Sequence, residues 1–314
     1  MQSSVVDVVL VWLMNNKLIY IAGPTCIGKT SLSIEIAKRL ETEIISCDSR
    51  QFYKELKIGT SPPSREQLKE INHHFIHNKS IHDKYNVGMY EKDAINLINN
   101  LFKKNEIIIL VGGSGLYADS IMYGIDDFPE IPSNIRNKII SEYESGGLEV
   151  IQNKLKKLDT KYYKEVDLSN SARIIRALEI IEFTGNKFSS LRTNKQKNRI
   201  FQSHVIVVEC EREKLYTRIN NRVDQMIKEG LEKEVLSLKD FKELNTLNTV
   251  GYKEFFNYFD NKISYNDTID KIKQNTRNYA KRQITWLKKY KKSIKVYYKQ
   301  QVFPVKPVSK PRIN

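Results

Sequence analysis

Hydrophobic positions follow two rhythms along this chain. Leu18-Ile19-Tyr20-Ile21-Ala22 and Ile107 to Val111 are unbroken apolar runs of strand length, the pattern of strands buried on both faces of a parallel sheet. Glu43-Ile44-Ile45-Ser46 and His204-Val205-Ile206-Val207-Val208 read as two more strands. Elsewhere the period lengthens to that of a helix. Leu32, Ile36, Ala37 and Leu40 share one face behind the first strand. Asp126-Asp127-Phe128-Pro129-Glu130-Ile131-Pro132 is a turn-rich break. From about 128 to 198 the pattern is helical, with Leu155, Leu158, Ile174, Ile175, Leu178 and Ile181 as apolar faces. After 208 it is helical to about Tyr290, and in the last long helix Ile272, Tyr279, Trp286 and Tyr290 share one side. Lys273, Arg277 and Lys281 recur at a spacing of four on another side of that helix.

These elements predict an α/β fold. A parallel-sheet core with a helical C-terminal region spans 14–125 and 200–299, interrupted by a helical insert at 126–199. Residues 1–13 read as an optional extension, with Met14 an alternative start. Residues 300–314, with three prolines and little periodicity, read as a disordered tail.

Composition excludes several classes. With 40% hydrophobic and 28% charged residues in 314, the chain is neither disordered nor fibrous. No run of 18 apolar residues occurs, so no membrane-spanning helix is predicted. Cys26, Cys47 and Cys210 form neither a disulfide framework nor a paired metal motif, which points to a reducing cytoplasm. The net charge of +15 is segregated: residues 271–314 hold 14 Lys and Arg and no acid, while the remainder balances 38 basic against 37 acidic residues. Coding bias does not segregate charge in this way, so a polyanionic partner is expected, bound with salt sensitivity.

The first strand runs into Gly23-Pro24-Thr25-Cys26-Ile27-Gly28-Lys29-Thr30, and a helix follows. Strand, glycine loop and helix in that order are what a phosphate-binding P-loop requires. Its backbone N–H groups and the positive helix N-terminus attract phosphate. Lys29 would reach the terminal oxygens, and Thr30 would hold Mg²⁺. The predicted core is therefore P-loop NTPase-like. Yet Ile107–Val111 ends in Gly112-Gly113-Ser114-Gly115-Leu116-Tyr117, where a hydrolase commonly places an Mg²⁺-binding Asp. The acid follows the 43–46 strand instead, in Cys47-Asp48-Ser49-Arg50-Gln51-Phe52-Tyr53. The carboxyl edge of a parallel sheet is where ligands bind in such folds.

The ordered set GPTCIGKT, DSRQFY, GGSGLY, RIIRALEIIEFTG, RVDQM, VGYKE and TRNYAKRQITW resembles the tRNA dimethylallyltransferase (tRNA isopentenyltransferase) family from about Leu18 to Lys289. The resemblance implies transfer of a dimethylallyl group from dimethylallyl diphosphate to N6 of adenosine 37. The acceptors would be tRNAs reading codons that begin with U, and Mg²⁺ would be the cofactor. It implies Asp48 as the base at the adenine amine, and Thr30 and Arg222 as the other catalytic residues, Arg222 on the diphosphate. Arg218, one turn earlier, is the rival for that role. Residues 23–30 would enclose the diphosphate. Ser49, Arg50, Gln51, Ser114, Arg136, Ala172, Arg173, Ile174, Ile175 and Arg176 would contact the tRNA anticodon stem-loop. So would Asn248, Thr249, Val250, Gly251, Tyr252 and Lys253. No membrane contact and a monomeric state are expected.

Cys26 and Ile27 replace the family's usual small residues, and Gly59-Thr60-Ser61-Pro62-Pro63 lacks a lysine common there. Three other readings remain at this point: a small-molecule P-loop kinase, an isopentenyltransferase acting on free AMP or ATP, and an RNA-binding protein with a degenerate loop. His73, His74, His77 and His82 raise a zinc site, but their spacing gives no paired ligand motif.

Overall fold

The computed structural model describes residues 16–193 and 195–297. The expected extension (1–13) and tail (300–314) lie outside them. The chain forms two compact units, one of the residues up to Met122 and from Arg199 onward, the other Tyr123–Asn198.

In chain order the first unit begins with β1 (Lys17–Ala22), α1 (Lys29–Arg39), β2 (Ile44–Ser46), α2 (Arg65–Glu70), β3 (His73–His74), α3 (Val87–Leu101), β4 (Ile107–Val111) and α4 (Gly115–Met122). The second unit holds α5 (Ser133–Leu158), α6 (Thr160–Glu165), α7 (Ser171–Thr184) and α8 (Phe188–Leu191). The first unit resumes with β5 (Gln202–Glu209), α9 (Arg212–Lys228), α10 (Leu231–Leu236), α11 (Tyr252–Phe259), α12 (Tyr265–Leu287) and β6 (Ile294–Tyr297).

The six strands pair in the order β3-β2-β4-β1-β5-β6, every pairing parallel. Parallel neighbours need long crossovers, and helices supply them. β1 and β4 are buried along their whole length, which is why they carry no polar alternation. Their side chains join Leu32, Ile36, Ala37, Leu215 and Ile219 in one core. The order has a functional consequence. β2, β4 and β1 are adjacent, so the loops that leave their carboxyl ends meet, although they lie far apart in sequence.

Two strands escaped the sequence reading. The His73–His74 pair itself forms β3, too short for a periodicity signal. Ile294–Tyr297 pairs with β5 as the sixth strand, so the C-terminal region is not helical throughout.

The second unit has its own core, including Ile139, Ile151, Leu155, Tyr162, Ile174, Leu178 and Phe188. α5 bends at Gly147, whose φ of 74° interrupts the helix. α7 ends on Gly185 in the left-handed region, a common C-terminal stop.

Candidate functional site

β1 delivers the glycine loop to the sheet edge. Gly28 precedes α1 with φ 105°, a conformation that L side chains rarely adopt. Ile27 is buried and belongs to the core, so the larger residue is accommodated behind the loop. Lys29 Nζ donates to the Pro24 carbonyl at 2.8 Å. Burial lowers the Lys29 pKa to about 8, against a partial upward pull from Asp48. A cation held part-way to neutrality is one that an incoming anion would stabilise.

The loop after β2 turns on Asp48. Its Oδ1 accepts the Arg50 N–H at 3.1 Å, an Asx turn. Ser49 N–H donates to Ser114 Oγ at 3.0 Å, tying this loop to the one after β4. Gln51 Nε2 donates to the Thr60 and Ser61 carbonyls, both at 3.1 Å. Arg50 Nη2 donates to the Asn248 carbonyl at 3.5 Å. Together these loops surround a cavity of about 360 Å³ whose lining includes Thr25 to Thr30, Asp48, Gln51, Arg218, Arg222 and Tyr279. A second cavity of about 120 Å³ shares Thr25, Asp48, Arg222 and Tyr279 with it and adds Ile219, Val223, Met226, Val250 and Ile272. A polar chamber thus adjoins a smaller, largely apolar one, with Asp48 in the wall of both.

Arg222 and Arg218 both come from α9. Arg222 Nη1 lies 3.7 Å from Cys26 Sγ, and Arg218 Nη1 donates to the Ile27 carbonyl at 3.3 Å. Arg222 reaches both chambers and Arg218 the larger one only. Thr249, Val250 and Gly251 line the smaller chamber. Asn248 and Lys253 are exposed.

The 59–63 loop lines the two cavities and carries no lysine. Glu234, on α10, holds it. Its carboxylate accepts the N–H groups of Lys57 (3.0 Å), Ile58 (2.8 Å) and Gly59 (3.1 Å), and the Tyr252 hydroxyl at 2.6 Å. Glu234→Ala leaves these donors without their acceptor. We expect a loss of about 2–4 kcal/mol in stability, read as a lower Tm, together with a raised KM for the ligand of these cavities. An unchanged Tm and KM would remove Glu234 from this role.

Three residues expected at the RNA surface have inward side chains. Ile174 and Ile175 are buried in the core of the second unit, because α7 packs that face inward. Tyr252 is buried against Glu234. Their neighbours do face solvent: Ala172, Arg173 and Arg176 are exposed on α7. Arg136 Nη1 and Arg176 Nη1 share the carboxylate of buried Glu179, at 2.6 and 3.2 Å. The basic stripe of α12 is also partly engaged. Lys273 pairs with Asp224 at 2.6 Å and Arg277 donates to Asn220 at 2.7 Å, while Lys281 is exposed.

The histidines do not converge on a metal. His73 Nδ1 bonds the Ile71 carbonyl, His74 Nε2 meets Glu43 at 2.7 Å, and His82 packs edge-on to Phe241. Among the described residues, no group of three or more His, Cys, Asp or Glu is placed to hold a metal ion. No helix among them is long and apolar enough to cross a membrane.

The IPP transferase family model matches residues 51–290. The chain is 49% identical over 290 residues to the tRNA dimethylallyltransferase of Flavobacterium psychrophilum, covering 90% of this chain and 94% of that one. It is 51% identical over 276 residues to that of Christiangramia forsetii, covering 88% and 91%. A solved tRNA isopentenylpyrophosphate transferase from Bacillus halodurans superposes with a TM-score of 0.65 at 34% identity, over 90% of each chain. A eukaryotic dimethylallyltransferase acting on tRNA superposes with a TM-score of 0.70 at 28% identity, over 87% of this chain and 70% of that one. With the family model and these relatives each spanning most of its length, the chain belongs to the IPP transferase family.

Proposed function

We propose that this protein transfers a dimethylallyl group from dimethylallyl diphosphate to N6 of adenosine 37 in tRNAs reading codons that begin with U. The observation that carries the reading is Asp48 in the wall shared by a phosphate-loop chamber and a small apolar chamber. The diphosphate would lie on the N–H groups of 25–30, with Lys29 and Arg222 offsetting its charge. The N6 lone pair forms a bond to C1 of the dimethylallyl group as the C1–O bond breaks. Diphosphate leaves with that electron pair, and Asp48 takes the N6 proton. Ser49, Arg50, Gln51 and Ser114 would order the acceptor side. Arg136, Arg173 and Arg176 would hold tRNA phosphates.

The donor set suits Mg²⁺. Thr30 lines the cavity beside the phosphate loop, and Mg²⁺ is usually held by one or two protein oxygens plus substrate phosphates. When bound there, Mg²⁺ would offset charge on the diphosphate. Three free cysteines and a tRNA substrate support a cytoplasmic setting.

Incubation with dimethylallyl diphosphate, Mg²⁺ and unmodified tRNA should yield N6-dimethylallyl adenosine on nucleoside analysis. Phosphate transfer from labelled ATP to a small acceptor, with no prenylated nucleoside, would overturn the proposal.

A further inference from the structure

A side-chain amide stands inside the buried face of α12. That face comprises Thr268, Ile272, Ala280, Gln283 and Leu287. Gln283 is only 7% exposed. A leucine would fill such a position without burying an amide, whose burial is costly unless both ends are bonded. Both ends are bonded. Gln283 Oε1 accepts the Thr25 N–H at 2.8 Å, and Nε2 donates to the Gly113 carbonyl at 2.9 Å.

The two partners belong to different halves of the site. Thr25 is in the phosphate loop. Gly113 follows β4, and the next residue, Ser114, anchors Ser49 beside Asp48. The approach is close, so a side chain at 113 would have to displace the Gln283 amide. A Cβ there would lie 2.4 Å from Gln283 Nε2 and 3.6 Å from Asp48 Oδ2. One turn earlier, Tyr279 reaches the same Gly113 carbonyl from its hydroxyl at 3.5 Å.

We infer that Gln283 is a positioning residue of the transfer reaction, spacing the loop that takes the leaving diphosphate from the loop that carries Asp48. The inference rests on the prenyl-transfer reading of the site. Its physical basis is that reacting groups must be held within a fraction of an ångström. A displacement of about 1 Å costs on the order of a hundredfold in rate.

The test uses the full chain and the variants Q283L and Q283E. Q283L keeps the volume and loses both bonds. We expect kcat to fall about 10- to 100-fold and the donor KM to rise about tenfold, with tRNA affinity unchanged. Q283E keeps the acceptor for Thr25 but sets a carboxylate against the Gly113 carbonyl and beside the diphosphate. Relative to the parent at each pH, its donor KM should recover as the pH falls and the carboxyl takes up a proton. A purely structural role would instead move the Tm and the tRNA affinity with pH together with the donor KM.

Parent-like kcat and donor KM in Q283L would overturn the inference. So would a lower Tm with equal losses of donor and tRNA binding. If Q283L does not fold, the pH series of Q283E decides. If the parent fails to prenylate tRNA, the proposed function fails, and calorimetry with inorganic diphosphate then judges Gln283 alone. Parent-like affinity in the variants would overturn its role.

Discussion

Asp48→Asn should lower the single-turnover rate of prenyl transfer by about 10²–10⁴ while the donor and tRNA still bind. The substitution isolates one property. Asp48 Oδ1 accepts the Arg50 N–H, and an asparagine oxygen can do the same, so the turn after β2 stays closed. The second carboxylate oxygen has no hydrogen-bond partner among the described residues and lies toward Gly113 in the wall of both chambers. An amide in its place cannot take a proton from N6. The acceptor amine is a weak nucleophile, so a base within reach helps the N6–C1 bond form by taking the proton. Single-turnover assays with saturating tRNA separate this effect from binding. A rate near that of the parent would remove Asp48 as the base. A normal rate with donor binding lost would make it a binding residue instead.

Asp48 also marks how far a sequence can be read. The carboxylate was visible because an acid followed an apolar strand near a glycine loop. Its place beside that loop was expected from the carboxyl edge of a parallel sheet; the strand order that brings the two together was not. β2 and β1 are not neighbours; β4 lies between them, and the site exists because all three loops leave the same edge. Strand order is set by crossovers of long sequence separation, which leave no local periodicity. Length limited the reading elsewhere. β1 and β4 announce themselves by unbroken apolar runs, whereas two-residue β3 and four-residue β6 do not.

Side-chain roles were hardest to read where one residue type serves two purposes. Gln51 was expected at the RNA, yet its amide nitrogen is spent on the Thr60 and Ser61 carbonyls. Ile174 and Ile175 sit between two arginines, and helical geometry turns them inward while Arg173 and Arg176 face out. Gln283 did leave a signal: a glutamine interrupts an otherwise apolar or small-residue stripe at 268, 272, 280 and 287. A polar residue in that phase needs a partner, and the glycines of the β4 loop provide room for one.

Lys29→Met should weaken binding of the diphosphate donor by about 10²–10³, as removal of a buried charge partner does, and should make the free protein more stable. The two effects share a cause. Burial holds the Lys29 pKa at about 8, below its ordinary 10.5. The folded state therefore binds fewer protons than the unfolded chain between those values, and stability rises with pH across that window. Below about pH 8 the full cost of burying the ammonium is present. Methionine removes it. The whole displacement corresponds to about 3 kcal/mol. Lys29 retains some contact with solvent, so screening reduces the expected gain to about 1–2 kcal/mol, seen as a higher Tm near neutral pH. Donor binding follows the opposite course. Above about pH 8 the free enzyme loses the ammonium, so kcat/KM for the donor should fall about tenfold per pH unit. Binding in that range should take up a proton, because the diphosphate restores the charged form. Calorimetry in buffers of different ionisation enthalpy measures that uptake. Donor affinity independent of pH from 7 to 10, or a Tm unchanged by Lys29→Met, would break the link between this lysine's burial and its grip on the leaving group.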